Sequence, residues 1–374
     1  MTLRYSSAIA LLAAPILLIA TPPALALDTA CPAEPAAAPA TELTTTLDTV
    51  LADAAADEFN GQLAIWQDGV WLYSGSVGFA DRERTRPISG ETLFELASTA
   101  KYLTAIMVLQ AVDAGRIAVT DTVSPYLDGS AIAERGTTIE ELLSHRSALG
   151  ASYAAEAVYS NEAALAAIDA EDYDPARRGD FRYSNDGYNI LGLLLERLHG
   201  RPYEALAYRD IIDPACLDHT GFWSEPGIGD PARLAQPAEG YPESLVGRNY
   251  GMIGASGYLA SAADLVRLQA ALLDDRLLSD ASRAELFAPR IVISLGAASY
   301  GGFLVDDPHL GRFHSARGSN DWGTNAYLNT YFECGIILAV TTSSGRTGPD
   351  NRLYRDVITD AVTPLLEPYC PAEE

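Results

Sequence analysis

Apolar residues recur at helical spacing from about Thr41 to Phe59, where Leu43, Leu47, Val50, Leu51 and Ala54 share one face. The same period returns near the C-terminus in Leu353, Val357, Ile358, Ala361, Val362 and Leu365. Between these helices, Leu63–Trp66 and Val70–Tyr73 flank Asp68-Gly69, a turn pair that predicts a β-hairpin. Phe303–Val305, the alternating stretch Asn325–Phe332 and Ile336–Thr342, with its apolar run Ile336–Val340, predict an antiparallel set whose last strand is central and buried. Ser98–Val112 is apolar on nearly every face and predicts a buried helix closed near Gly115. From about 116 to 245 helical patterns such as Tyr188–Leu198 stand among irregular Gly- and Pro-rich stretches, with few strands. The expected fold is α+β: an antiparallel sheet flanked by helices from both chain termini, with a mostly helical lobe inserted. The α/β lobe is expected at about 41–115 and 246–366, the helical lobe at about 116–245, and a tail at 367–374.

The N-terminus adds a compartment. Arg4, an apolar run from about Ala8 to Ala20 and Ala24-Leu25-Ala26 predict a secretory signal over residues 1–26, followed by a Pro- and Ala-rich linker to residue 40. A secreted or periplasmic protein without a stable membrane anchor is expected. The chain carries a formal net charge of −25, which argues against nucleic-acid and anionic-membrane partners. Four cysteines, at 31, 216, 334 and 370, fit an oxidising compartment and no metal spacing. Of the three pairings, Cys31 with Cys370 is expected, because each lies just outside a terminal amphipathic helix. No metal or cofactor is inferred.

Chemistry enters with Lys101, the only lysine in a chain that uses arginine for every other positive charge. Arginine stays protonated, whereas a lysine amine can act as a base. Lys101 is the one charge in the apolar helix, where burial lowers its pKa, and Ser98 lies three residues earlier, on the same face. That pairs a nucleophile with a base. The stretch Tyr183-Ser-Asn185 supplies a phenol and an amide two residues apart, before the predicted helix from Tyr188.

Ser98-Thr-Ala-Lys101, then Tyr183-Ser-Asn185, then a basic, glycine-containing turn between strands resemble the serine hydrolases of the β-lactamase-related family, which holds class C β-lactamases, DD-peptidases and esterases. Thr92–Ser98, Gly115–Tyr126, Thr138–Leu149 and Gly254–Asp264 look like family segments in the expected order, so the likeness covers roughly 42–366. The resemblance implies that Ser98 is acylated, that Lys101 and Tyr183 share the proton transfers, and that Asn185 hydrogen-bonds Lys101 and substrate. It implies an oxyanion hole from the Ser98 N–H and an N–H of the strand after the third motif. His145 is expected to be structural.

The third motif departs from the family, which has Lys-Thr-Gly or His-x-Gly. His314 takes the basic position if the segment is read forward, with Ala316 replacing glycine; Arg317-Gly-Ser319 fits if it is read back from Gly323. His314 is the favoured substrate-binding residue, with Arg317 close enough to bind a carboxylate. Trp322 either lines an acyl pocket or packs. The expected activity is cleavage of an ester, β-lactam or D-amino-acid peptide through an acyl-enzyme at Ser98, with efficient β-lactamase action weakened by the missing lysine. The alternative is a noncatalytic protein that captures penicillins or peptidoglycan fragments, invited by Ala316.

Overall fold

The computed structural model describes residues 41–371 apart from 172, 226–231, 238, 244–246 and 348–349. The expected signal, the linker, Cys31 and the end of the expected tail lie outside the described residues. Within them the fold is α+β. The strands are β1 (Gly61–Gln67), β2 (Val70–Val77), β3 (Phe94–Glu95), β4 (Thr220–Phe222), β5 (Tyr258–Ala260), β6 (Ile291–Ile293), β7 (Gly296–Ser299), β8 (Gly302–Asp307), β9 (Gly311–Ser319), β10 (Asn325–Tyr331) and β11 (Ile336–Thr342). The helices are α1 (Glu42–Ala56), α2 (Ala100–Asp113), α3 (Ala131–Glu134), α4 (Ile139–Leu143), α5 (Asn161–Asp169), α6 (Asn185–His199), α7 (Tyr203–Ala207), α8 (Asp213–Ala215), α9 (Ala262–Leu273), α10 (Asp280–Phe287) and α11 (Tyr354–Leu366).

Eight strands form one sheet in the order β2-β1-β11-β10-β9-β8-β7-β6, antiparallel throughout. Strands from the two ends of the described sequence meet inside the sheet, near its β2 edge, since β1 pairs with β11. Alternation decides which helices cover which face. Leu63, Ile65, Leu338 and Val340 meet Leu47 and Leu51 of α1 and Ile358 and Val362 of α11. Ala64, Ile337 and Ala339 face the larger core, where α2, α6 and α9 pack. β10 and β11 are buried at every residue, so neither presents a solvent-exposed face, and the polar residues they carry, Asn325, Asn329, Thr330, Thr341 and Thr342, are buried with them. A second sheet, β3-β5-β4, lies just before Ser98 in the chain, through β3.

Two expectations change here. The segment from His314 to Ser319 is not a turn between strands but part of β9, paired with β8 through Ser315 and with β10 through Ser319. Cys370 pairs with Cys334, not with Cys31. Cys334 sits in the β10–β11 turn, beside which the chain arrives after α11. This bridge closes 36 residues of sequence, and constraining such a loop is worth about 3–4 kcal/mol. We predict that the double variant Cys334→Ser/Cys370→Ser, which removes this bridge alone, lowers stability by that amount in thermal unfolding; an unchanged Tm would count against a stabilising role.

Candidate active site

The position of Ser98 is set by a strained turn. Ala97 has φ of +47°, a conformation that L-residues rarely adopt and that costs of order 1–2 kcal/mol. Its N–H is held by Glu95 Oε1 at 2.9 Å, which fixes the turn that presents Ser98 just before α2 begins. One turn later, Lys101 is 2% exposed. Its Nζ lies 3.0 Å from Ser98 Oγ, 2.9 Å from Asn185 Oδ1 and 2.9 Å from the Ala255 carbonyl.

This arrangement orients the amine. Asn185 Oδ1 and Ala255 O only accept, so each fixes one N–H; a neutral amine then has its lone pair left for the Ser98 hydroxyl. Burial lowers the Lys101 pKa, while Tyr183 first, and then the charges of Glu95 and Asp186, push it back up. The net direction is downward, which makes the amine easier to deprotonate than an ordinary lysine. Tyr183 stands on the other side of it, with Nζ 5.0 Å from the ring centroid. Ser184 caps α6 by accepting the Gly187 N–H, which places Asn185 in the first turn, beside Tyr183.

His145 supports this corner without joining the chemistry. Its Nδ1 accepts the Ser184 N–H at 3.1 Å, and its ring lies 4.5 Å from that of Tyr183. Burial, with the Lys101 charge second, drives its pKa down to about 3, so it is neutral.

The structure brings Ser98, Lys101, Tyr183 and Asn185 together and leaves His314 and Arg317 apart from them. His314 is 1% exposed, shares Nε2 with Ser299 Oγ at 3.0 Å and packs on Tyr102 and Phe287. Arg317 lies on the other face of β9, over Phe303 and Tyr327. Neither is placed to hold a substrate carboxylate at Ser98. Burial, with the Arg317 charge second, lowers the His314 pKa to about 3. A histidine held neutral in the fold but protonated when unfolded stabilises above its unfolded pKa and loses that contribution as pH falls from about 6.5 toward 3. Urea unfolding of His314→Asn is therefore expected to lose roughly 1.5 kcal/mol less than wild type between pH 6.5 and 5; equal losses would contradict the neutral assignment.

Gly318 sets the register of the third motif instead. A Cβ there would lie 2.1 Å from Leu96 O and 2.8 Å from Ser98 N, so only glycine allows β9 to approach Ser98 this closely. The family's Lys-Thr-Gly then falls on Ala316-Arg317-Gly318: the glycine is present and the lysine position is alanine. Asn320 N–H bonds to Thr324 O, and pairing alternates back from it through Ser319↔Asn325 to Gly318↔Ala326. Ser319 consequently turns its N–H away from β10, toward the free edge beside Ser98.

Three further residues were not singled out in the sequence. Ala255 contributes only a carbonyl, which any residue could. Tyr153 brings its hydroxyl to Ser98, and burial, with the Tyr183 and Glu95 charges next, raises its pKa. Its loop is pinned by Asp186, which accepts Ser152 Oγ at 2.6 Å and the Ala154 N–H at 3.2 Å. Fully buried Glu95 also accepts Ser256 Oγ at 3.0 Å, Thr324 Oγ1 at 2.5 Å and Asn320 Nδ2. Beyond Ser319 a cavity of about 290 Å³ is lined by Asn320, Trp322, Ser343 and Arg346.

The β-lactamase family model matches residues 50–363. The chain belongs to the β-lactamase family. Among its β-lactamase-family relatives, penicillin-binding protein 4* of Bacillus subtilis is 28% identical over 290 residues, 70% of this chain and 63% of that one. The teichoic acid D-alanine hydrolase of Staphylococcus aureus is 29% identical over 168 residues, 45% of this chain and 42% of that one. The matches span less than two thirds of these relatives' length. A crystal structure of D-amino acid amidase from Ochrobactrum anthropi, complexed with L-phenylalanine amide, shares the fold at a TM-score of 0.76 and 19% identity, covering 87% of this chain and 99% of that one.

Proposed function

We propose that the protein is a secreted or periplasmic serine hydrolase that opens an ester or amide through an acyl-enzyme at Ser98. The observation that carries this reading is the three-way placement of the Lys101 amine between Ser98, Asn185 and Ala255. Lys101 takes the Ser98 proton as Oγ attacks the carbonyl carbon. The negative charge that develops on the carbonyl oxygen falls between the N–H groups of Ser98 and Ser319. Tyr183, beside Lys101, passes the proton to the leaving group, and water enters by the reverse path to release the acid and restore Ser98. The named relatives support a D-amino-acid ester, amide or peptide as substrate. Alanine at the lysine position of the third motif argues against efficient β-lactamase action, and Arg346 is the cation that lines the cavity past Ser319.

The noncatalytic alternative rested on a lost glycine, and Gly318 removes that ground. The disulfide supports the proposed location, since such bridges persist in oxidising compartments. Parallel steady-state assays on a p-nitrophenyl ester, D-phenylalanine amide and a chromogenic cephalosporin, with intact-mass analysis, test the reading. Ester or amide turnover with slow cephalosporin cleavage is expected. Fast cephalosporin cleavage would make the protein a β-lactamase, a stable Ser98 adduct without turnover would make it a binder, and no adduct with any substrate would end the proposal.

A further inference from the structure

Arg355 is a buried cation outside the catalytic group. It is the second residue of α11 and 6% exposed. Its Nη1 donates to the carbonyl of Gly318 and, at 3.4 Å, to that of Ala326. Its Cζ lies 4.5 Å from the centre of the Tyr327 ring, and its Nε lies 3.5 Å from Asp356 Oδ1. Burial pushes its pKa down, as expected of a charge the fold does not readily solvate. Packing alone does not call for it: replacing a buried charge by an apolar side chain of similar volume is often neutral or stabilising.

The carbonyl it binds is informative. Gly318 C=O and Ser319 N–H belong to one planar trans peptide and point in opposite directions. Ser319 N–H faces the free edge beside Ser98, so Gly318 C=O faces β10, where Arg355 reaches it from α11. A hydrogen bond to the oxygen of a peptide draws electron density from its nitrogen and makes the N–H a stronger donor, and chains of bonds polarise one another in this way. The Asn325 Oδ1 that accepts the Arg355 N–H at 3.2 Å holds the start of α11 to β10, opposite Ser319, which keeps the guanidinium in place.

We propose that Arg355 is a positioning residue that polarises the Gly318–Ser319 peptide and so strengthens the Ser319 N–H as an oxyanion donor. The proposal rests on the serine-hydrolase reading above. It predicts an effect on transition-state charge with little effect on substrate binding. A donor of this kind is worth roughly a hundred- to a thousandfold in kcat, and polarisation of roughly 10–30% of that strength corresponds to roughly a two- to eightfold change.

The experiment compares full-length wild type with Arg355→Met, Arg355→Gln and Arg355→Lys in p-nitrophenyl ester hydrolysis, thermal unfolding and infrared spectra of the acyl-enzyme. Arg355→Met is expected to lower kcat roughly two- to eightfold with KM within twofold, and to shift the acyl carbonyl stretch to higher wavenumber; Arg355→Lys is expected to recover most of both. If the methionine variant does not fold, the glutamine variant, which keeps a donor without the charge, is expected to fall between the lysine variant and the loss predicted for methionine in both readouts. Unchanged kcat and carbonyl stretch in a folded Met or Gln variant, with Ser98 still acylated, would overturn the role of Arg355 alone. A wild type whose Ser98 takes no acyl group would overturn the hydrolase reading, and this proposal with it.

Discussion

Lys101→Arg is expected to lower kcat by about 10⁴-fold, close to the loss in Ser98→Ala, because a nucleophile and its base act as a unit and losing either forfeits nearly all of what both supply. The charge is kept in this variant and the hydrogen-bond donors increase, so a purely structural or electrostatic role for Lys101 predicts a mild defect instead. The ability to shed a proton is what disappears. In the wild type, two of the amine's three partners are obligate acceptors, and only Ser98 can meet a lone pair. A guanidinium offers no lone pair to meet. Burial lowers the Lys101 pKa, so activity should rise with pH as the amine deprotonates, along a limb lying below the usual lysine range. That limb should be missing from the residual activity of Lys101→Arg. Stopped-flow acylation of Ser98 in wild type and variant measures both the magnitude and the limb; retention of a tenth or more of wild-type kcat in Lys101→Arg would sink the general-base account.

The pair Ser98–Lys101 was legible because its signal is local: one lysine, in an apolar helix, one turn from a serine. Tyr183 and Asn185 could be read for a similar reason, since the capped start of α6 places both near one point. The terminal helices and the β1–β2 hairpin were legible because each has one polar face or a marked turn. β9 was not. It is covered on both faces for most of its length, so His314, Ser315 and Ala316 show no alternation, and its weak strand formers read as a turn. The choice of His314 followed from that misreading. Gly318 differs from other glycines only in what lies opposite it, the Leu96 carbonyl and the Ser98 nitrogen, and such proximity across more than 200 residues leaves no trace in local sequence. The cysteine pairing failed likewise: Cys334 is brought to Cys370 by the β10–β11 turn, which the pattern of terminal helices does not encode.

Glu95 illustrates the same limit and supports the second large effect. In sequence it is one acid among many; in the fold its carboxylate is completely buried and accepts bonds from Ala97, Ser256, Thr324 and Asn320. The Ala97 bond fixes the turn that presents the Ser98 N–H, and the Asn320 and Thr324 bonds fix the turn that follows Ser319. One carboxylate thereby sets the spacing of both oxyanion donors. Glu95→Gln keeps the shape but replaces one accepting oxygen by an NH₂ that faces donors, so at least one buried donor loses its partner, at a cost of about 1–3 kcal/mol in stability. Donors displaced from the oxyanion should cost about 10²-fold in kcat, with KM changed less than threefold, since the ground-state carbonyl carries little of the charge they stabilise. Burial raises the Glu95 pKa against the hydrogen bonds that lower it. Protonation turns an acceptor into a donor among donors, so activity should fall as pH drops through a value above the usual carboxylate range, and this step should be absent in Glu95→Gln. If Glu95→Gln instead lowered Tm with kcat intact, the carboxylate would hold the fold together without tuning the oxyanion hole.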